Sequence, residues 1–184
     1  MPGERQLDPA ALGDHIDRLY RAAWAMSGSR EDAEDLVQET FARVLRRPRL
    51  LRSDDDLGYL LRALRNTFVS ERRAQARRPR GSAGLEELEQ REDPRATRPE
   101  ALIESERLYA AIAQLPAEFR DALVAIELVG LSYAEAARAL RVREATVATR
   151  LHRARRRLAT ALREPQEREA AAVEAAAHGH AGRQ

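Results

Sequence analysis

The sequence predicts an all-α protein made of two small helical domains joined by a flexible linker. Aromatic residues make up only 4% of its 184 residues and charged residues 34%, so any core is built mainly from Leu, Val, Ile and Ala, as in helical bundles. Apolar residues recur three and four positions apart in several segments, which is the periodicity of amphipathic helices. Between residues 79 and 100 this periodicity gives way to a Pro-, Gly-, Arg- and Glu-rich composition that is typical of a linker.

The first domain, residues 1–78, is predicted to be a bundle of three or four helices, three of which the periodicity defines. The first spans residues 12–26 and is broken at Gly28, and Ser29 followed by Asp32 resembles the cap of the second helix, which Pro48 ends. The third is predicted to begin at Ser53, whose hydroxyl caps it, and to finish before residue 79. The predicted buried stripes include Leu12, Ile16, Leu19 and Trp24 in the first helix, Leu36, Val37, Phe41 and Leu45 in the second, and Leu57, Leu60, Leu61, Leu64 and Phe68 in the third.

The second domain, residues 101–163, ends in a predicted helix-turn-helix. Helices are expected over 101–115 and 117–129, and Gly130 is expected to close the latter in a left-handed conformation. Ser132 and Glu135 form a capping box that starts a short helix, and a tight turn at 141–142 leads into the last helix. Residues 164–184 are predicted to be a disordered tail.

Arginine is concentrated on the last helix. Between residues 141 and 163 there are eight arginines against one acid, Glu144. Arginine donates two hydrogen bonds to a guanine edge and also binds phosphates, so this face is predicted to read a DNA major groove. The other interpretation is a solvated basic face on an ordinary helical hairpin.

The second helix has the opposite character. Its outer face presents Asp35, Gln38 and Glu39, and such acids would repel a phosphate backbone. This face is therefore predicted to bind a protein. The alternative is a solvated face on which Glu39 and Arg43 form a surface pair of little energetic value.

Composition excludes several functions. With no cysteine, the chain has no disulfide, thiolate metal site or cysteine nucleophile. No apolar stretch is long enough to span a membrane and no signal segment precedes the first helix, so a cytoplasmic location without membrane insertion is expected. Nothing resembles a nucleotide-binding loop or a catalytic triad; no enzymatic activity, cofactor, metal or small-molecule substrate is predicted.

Two of these motifs resemble a known family. Residues 32–41 resemble the polymerase-binding helix of bacterial sigma factors, and residues 131–158 resemble their carboxy-terminal helix-turn-helix, in the compact extracytoplasmic-function (ECF, group IV) type. The resemblance covers roughly residues 12–162. It implies a region 2-like bundle, a region 4-like bundle, and a non-catalytic subunit that directs promoter recognition and melting.

The resemblance also implies roles for particular residues and partners. The expected partners are core RNA polymerase, through its β′ clamp and β subunits, promoter DNA, and an anti-sigma factor. Polymerase docking is assigned to Asp32, Asp35, Gln38 and Glu39. The minus-ten element is assigned to Tyr59, Arg62, Arg65, Asn66, Arg72 and Arg73. The minus-thirty-five element is assigned to Arg143, Thr146, Thr149, Arg150 and Arg153.

Three positions depart from the family pattern. Tyr59 replaces the usual tryptophan, Arg141 the usual turn glycine, and Arg143 the usual serine cap. A left-handed non-glycine residue costs on the order of 1 kcal/mol and a missing cap roughly 0.5–2 kcal/mol, so the start of the last helix is expected to be looser. Alternatively, both arginines contact phosphates and recover the loss on DNA.

Two other functions remain open from the sequence. A stand-alone regulator that binds an operator as a dimer would use the helix-turn-helix but leave the acidic helix without a role. The third possibility is a pure interaction protein, such as an adaptor.

Overall fold

The computed structural model describes residues 5–7, 9–46, 50–51, 55–77 and 100–181, with backbone alone beyond residue 163. Ser53 and almost all of the predicted linker lie outside these ranges. We call residues 5–77 the first module and residues 100–181 the second module.

The first module contains a 3₁₀ helix, Pro9–His15, followed by three α-helices. These are α1 (Ile16–Ser27), α2 (Arg30–Arg46) and α3 (Asp56–Arg77). Two short strands, β1 (Arg5–Gln6) and β2 (Leu50–Leu51), pair antiparallel and bring the start of the chain to the α2–α3 connection.

Local capping signals define most of these boundaries. Gly28, with φ of 87°, ends α1 and donates its N–H to the Trp24 carbonyl, and the Ser29 hydroxyl accepts the Asp32 N–H at 3.1 Å, as predicted. The prediction for α3 was wrong at its start. The helix begins at Asp56 because the Asp55 carboxylate accepts the Gly58 N–H at 2.8 Å, whereas the prediction placed the start at residue 53.

The second module contains four helices. They are α4 (Glu100–Ala113), α5 (Ala117–Leu123), which continues as a π-helical turn (Val124–Leu128), α6 (Tyr133–Leu140) and α7 (Glu144–Ala181). Gly130 has a φ of 82°, which confirms its predicted left-handed conformation. The backbone of α7 is helical to Ala181, where the sequence predicts a disordered tail from residue 164; the segment is rich in alanine, the strongest helix former.

The two modules pack against each other through α1 and α4. Trp24 is buried, as predicted, and its ring stacks on Tyr109 with centroids 4.1 Å apart. Two predicted core residues are instead exposed: Ile16 by 46% and Leu45 by 49%. Both lie in a terminal turn of their helix, where the apolar stripe runs past the neighbouring helices.

The all-α fold class is confirmed by these elements. Within the described ranges, no helix is long and apolar enough to cross a membrane.

Candidate functional site

An acidic groove lies between α2 and α3. Asp32, Asp35 and Glu39 line it from α2, and Glu71 and Gln75 line it from α3. Its volume is about 490 Å³. Three of the four predicted docking residues therefore share one concave surface, which is suited to a basic protein segment.

The fourth docking residue, Gln38, is exposed but does not line the groove. Glu39 is paired with Arg43 at 2.6 Å, with side chains 40% and 46% exposed. This is the surface pair that the alternative interpretation expected. A pair so exposed is worth at most about 1 kcal/mol, so it leaves Glu39 available to a partner cation.

Glu71 lines this groove but was not among the predicted docking residues. Burial raises the pKa of Glu71, and the negative charges of Glu39 and Asp35 raise it further against the opposing effect of Arg43. The helical periodicity could have indicated its partial burial, since Leu64, Phe68 and Glu71 lie on one face of α3.

The residues predicted for the minus-ten element lie along α3 but do not share one environment. Asn66 and Arg73 are exposed, whereas Tyr59 is half-buried and packs against the core. Arg72 is exposed, and its guanidinium lies 5.8 Å from the Phe68 ring centroid.

Arg62 and Arg65 differ from their neighbours because they contact the second module. Arg65 donates from Nε to the Asp121 carboxylate at 2.5 Å. Arg62 donates from Nη2 to the Arg138 carbonyl at 3.1 Å and from Nε to the Ala139 carbonyl at 3.4 Å. Nothing in the sequence pattern indicates these contacts.

The helix-turn-helix comprises α6, a turn at 141–143 and the start of α7. Ser132 and Glu135 form the predicted capping box: the Glu135 N–H donates to the Ser132 hydroxyl at 3.3 Å, and the Ser132 N–H donates to the Glu135 carboxylate at 2.7 Å. The Ser132 hydroxyl also donates to the Glu135 carboxylate at 2.6 Å, and this bond, followed by the one from the Ser132 N–H, holds the pKa of Glu135 below its ordinary value.

Arg141 occupies the left-handed region, with φ of 57° and ψ of 47°, as expected for a position that is usually glycine. Arg143 directly precedes α7, and its carbonyl accepts the Thr146 N–H at 2.9 Å. Its side chain contains only donors, so it supplies no N-cap acceptor. Both departures from the family pattern therefore affect the start of α7.

The predicted reading face of α7 is only partly open. Arg143, Thr149 and Arg153 are exposed, whereas Thr146 and Arg150 are half-buried. The Thr149 hydroxyl donates to the Ala145 carbonyl at 2.9 Å, which leaves its lone pairs for a base edge.

Two other arginines of α7 serve the second module itself. Arg155 pairs with Glu127, and Arg157 lies 5.0 Å from the Phe119 ring centroid. The basic stripe thus divides into structural arginines and arginines available to DNA.

A basic helix-turn-helix next to a module with an acidic groove is typical of a helical protein that binds DNA on one surface and another protein on a second surface. Comparisons with known proteins make the class specific. Residues 12–78 match Sigma-70 region 2, and residues 105–158 match Sigma-70, region 4.

Similar proteins include several bacterial sigma factors. The chain is 39% identical to the ECF RNA polymerase sigma factor SigE of Mycolicibacterium smegmatis, and the matched region covers 78% of this chain and 57% of that relative. It is 33% identical to EcfG of Rhodopseudomonas palustris, covering 80% of each chain. It is 32% identical to SigL of Mycobacterium tuberculosis, covering 88% of this chain and 92% of that one.

Two solved structures share the fold. One is the sigma factor RpoE in complex with the anti-sigma factor NepR from Bartonella quintana, with a TM-score of 0.59, 23% identity and coverage of 84% of this chain and 95% of that one. The other is CnrH in complex with the cytosolic domain of CnrY, with a TM-score of 0.58, 23% identity and coverage of 84% and 86%.

This chain belongs to the ECF RNA polymerase sigma factors. The resemblance noted in residues 32–41 and 131–158 is thereby confirmed, and the sigma-factor reading is favoured over a stand-alone operator-binding regulator.

Proposed function

We propose that this chain binds core RNA polymerase through its first module and directs it to promoters that both modules recognise. The observation that carries the proposal is the opposite character of two surfaces on one chain, an acidic groove on α2–α3 and a basic reading face on α7. The proposed domains are residues 1–78 for docking and the minus-ten element, 79–100 as linker, and 101–163 for the minus-thirty-five element, with 164–184 as a tail.

Docking is assigned to the acidic groove. Asp32, Asp35 and Glu39 form its α2 wall, Glu71 extends it on α3, and Gln38 contributes from the exposed edge of α2. The proposed partner is a basic segment of the β′ clamp, with the β subunit as a further contact. Complementary charge speeds the encounter and fixes the register of docking.

Promoter melting is assigned to α3. Asn66, Arg72 and Arg73 are exposed on α3, where they are available to bind a single DNA strand. Tyr59 is proposed to shape the base pocket from its packed position instead of offering an open stacking surface. Arg62 and Arg65 complete the surface once they are released from the second module.

Duplex reading is assigned to the first turns of α7. Arg143, Thr149 and Arg153 are exposed there, and Thr146 and Arg150 lie beside them, half-buried. In this type of motif the first turns of the second helix meet the base edges.

The chain's own contribution is binding and DNA opening; the chemistry of RNA synthesis belongs to the polymerase. Because its proposed partners are polymerase and promoter DNA, we place it in the cytoplasm. The two solved structures contain CnrY and the anti-sigma factor NepR, respectively, and on that basis an anti-sigma partner is proposed here as well.

The test is run-off transcription with core RNA polymerase of the source bacterium on a fragmented genomic library. The variant is Asp35→Arg, Glu39→Arg, which reverses charge on the groove wall. The matched control is Glu31→Arg, Glu34→Arg, which makes the same charge change on exposed positions of α2 that do not line the groove.

We expect wild type and control to produce the same new start sites, and the groove variant to lose them while still binding duplex DNA. Start sites that persist in the groove variant would refute the docking assignment. The absence of core-dependent start sites with the wild-type chain would refute the proposed function as a whole.

A further inference from the structure

The connection between α2 and α3 is paired with the start of the chain. It comprises residues 47–55, whereas connections between packed helices usually have about 2–8 residues. Within it, β2 pairs antiparallel with β1, and the register places Arg5 opposite Leu51 and Gln6 opposite Leu50. The backbone of this long connection is therefore held at one point by a strand from outside it.

The segment that supplies β1 is itself anchored in the core of the first module. Leu7 directly follows β1 and is 7% exposed, and Leu12, in the 3₁₀ helix Pro9–His15, is also 7% exposed. That helix leads directly into α1. A segment near a chain end is ordered when burial and pairing tie it down, and both conditions are met here.

The first turn of α3 follows β2 closely and is tightly built. The Asp55 carboxylate accepts the Gly58 N–H at 2.8 Å, and the Asp55 carbonyl accepts the Tyr59 N–H at 3.2 Å. A Cβ at residue 58 would lie 2.5 Å from the Asp55 carboxylate, so this close approach depends on glycine. Because the turn is constrained in this way, a displacement of β2 is passed on to Tyr59.

We propose that β1 is a positioning element of the minus-ten surface: by pairing with β2, it fixes the α2–α3 connection and so sets the position of Tyr59 and of the first turn of α3. This inference rests on the proposed role of α3 in promoter melting. On α3 the acidic groove is lined from Phe68 to Gln75, more than two turns beyond Tyr59. The pairing of β1 with β2 therefore affects promoter opening and leaves docking unchanged.

The pairing is short enough to be removed by a change in the backbone alone. In an antiparallel pair, facing residues alternate between those that exchange two N–H···O hydrogen bonds and those that exchange none. Proline has no N–H, so proline at both positions of β1 removes the donor from whichever facing pair is hydrogen-bonded. The residue before a proline is kept extended, so β1 retains its strand conformation while it loses the donor.

Two variants of the full chain test the proposal. Arg5→Pro, Gln6→Pro removes the backbone donors of β1, and Arg5→Ala, Gln6→Ala removes the same two side chains but keeps those donors. Each variant is assembled with core polymerase on a promoter mapped by the run-off experiment, and opening is measured by the permanganate reactivity of unpaired thymines at the minus-ten element. Binding to core and to minus-thirty-five duplex is measured in parallel.

We expect the alanine variant to open promoters as wild type does and the proline variant to give at least about fivefold fewer open complexes. A pair of short strands is marginal on its own, and the apparent affinity for the promoter falls with the fraction of molecules that hold the competent arrangement. Both variants are expected to bind core and minus-thirty-five duplex as wild type does.

Equal opening by the proline and alanine variants would overturn the proposal. Loss of core binding by the proline variant would overturn it as well, since β1 would then support the whole first module and not the start of α3.

The minus-ten assignment of α3 is tested separately with Asn66→Ala, Arg73→Ala, which alters two exposed positions away from the first turn. If that variant opens promoters normally, the minus-ten assignment of these residues fails. The comparison of the proline variant with the alanine variant alone decides whether β1 positions the start of α3.

Discussion

Replacing Arg141 by glycine tests separately whether this residue strains the helix-turn-helix and whether its side chain contacts DNA. Arg141 has φ of 57° and ψ of 47°, and the adjacent Val142 N–H donates to the Ala137 carbonyl at 3.0 Å, which closes α6. Glycine adopts this backbone without a Cβ clash, whereas other L-residues lose about 1–2 kcal/mol there. The hydrogen bonds of the turn come from the backbone and are kept.

The expected gain is smaller than the full strain. Glycine also loses more conformational freedom on folding, by roughly 0.5–1 kcal/mol relative to alanine. The difference leaves a net increase in unfolding free energy of about 0.5–1 kcal/mol, which corresponds to a rise in melting temperature of about 1–4 °C for a chain of this size.

Alanine at the same position is the matched control. Arg141→Ala loses the guanidinium but keeps the left-handed strain, so urea unfolding of the two variants isolates the backbone effect. A glycine variant that is no more stable than the alanine variant would refute the strain argument, because both lack the guanidinium and the expected gain already includes the entropy cost of glycine.

Binding to minus-thirty-five duplex is then measured against salt concentration for the same variants. If Arg141 neutralises one phosphate, the plot of log affinity against log salt concentration becomes less steep by about 0.9 in both variants. An unchanged slope in both variants would show that Arg141 does not contact a DNA phosphate, which decides the question left open by the sequence for this arginine.

Two further predictions concern groups whose pKa is shifted. Because the pKa of Glu71 is raised in the folded chain, the folded chain binds more protons than the unfolded chain at pH values just above the ordinary carboxyl pKa, and stability falls as pH rises through that window. Glu71→Gln is therefore expected to raise the unfolding free energy at pH 7 and to have no effect near pH 4. A variant without any gain at pH 7 would contradict this. Removing the Ser132 hydroxyl with Ser132→Ala is expected to cost about 0.5–2 kcal/mol. It is also expected to return the lowered pKa of Glu135 towards its usual range, so the part of the loss that depends on this carboxylate is seen at neutral pH and disappears in acid. Ser105→Ala, at a half-buried position in the middle of α4, serves as control, and equal losses in the two variants would count against the cap.

Structural features that depend on a few neighbouring residues were predicted correctly from the sequence. The caps at Ser29 and Ser132, the break at Gly28 and the left-handed end at Gly130 each depend on one residue and the backbone next to it. The start of α3 was misplaced because several acids and a serine compete for the same cap, and only the fold decides that Asp55 takes it.

Contacts between the modules were beyond the reach of sequence periodicity. Asp121 is an acid on a short helix, a pattern that normally indicates an exposed position, and its burial depends on Arg65 in the other module. Periodicity likewise gives the direction of an apolar stripe but not how far the neighbouring helix extends along it. Ile16 and Leu45 were misassigned for that reason.

Residues in locally unfavourable conformations or environments lie at the surfaces to which a function is assigned. Arg141 is strained at the reading helix, Glu71 has a raised pKa in the docking groove, and Arg120 has a lowered pKa at the module contact, from burial and from the like charges of Arg72 and Arg65. Exceptions to local rules tend to occur where function requires them. At the module contact, burial and the like charges of Arg72 and Arg65 work against the charged form of Arg120, and the carboxylate of Asp121 opposes them.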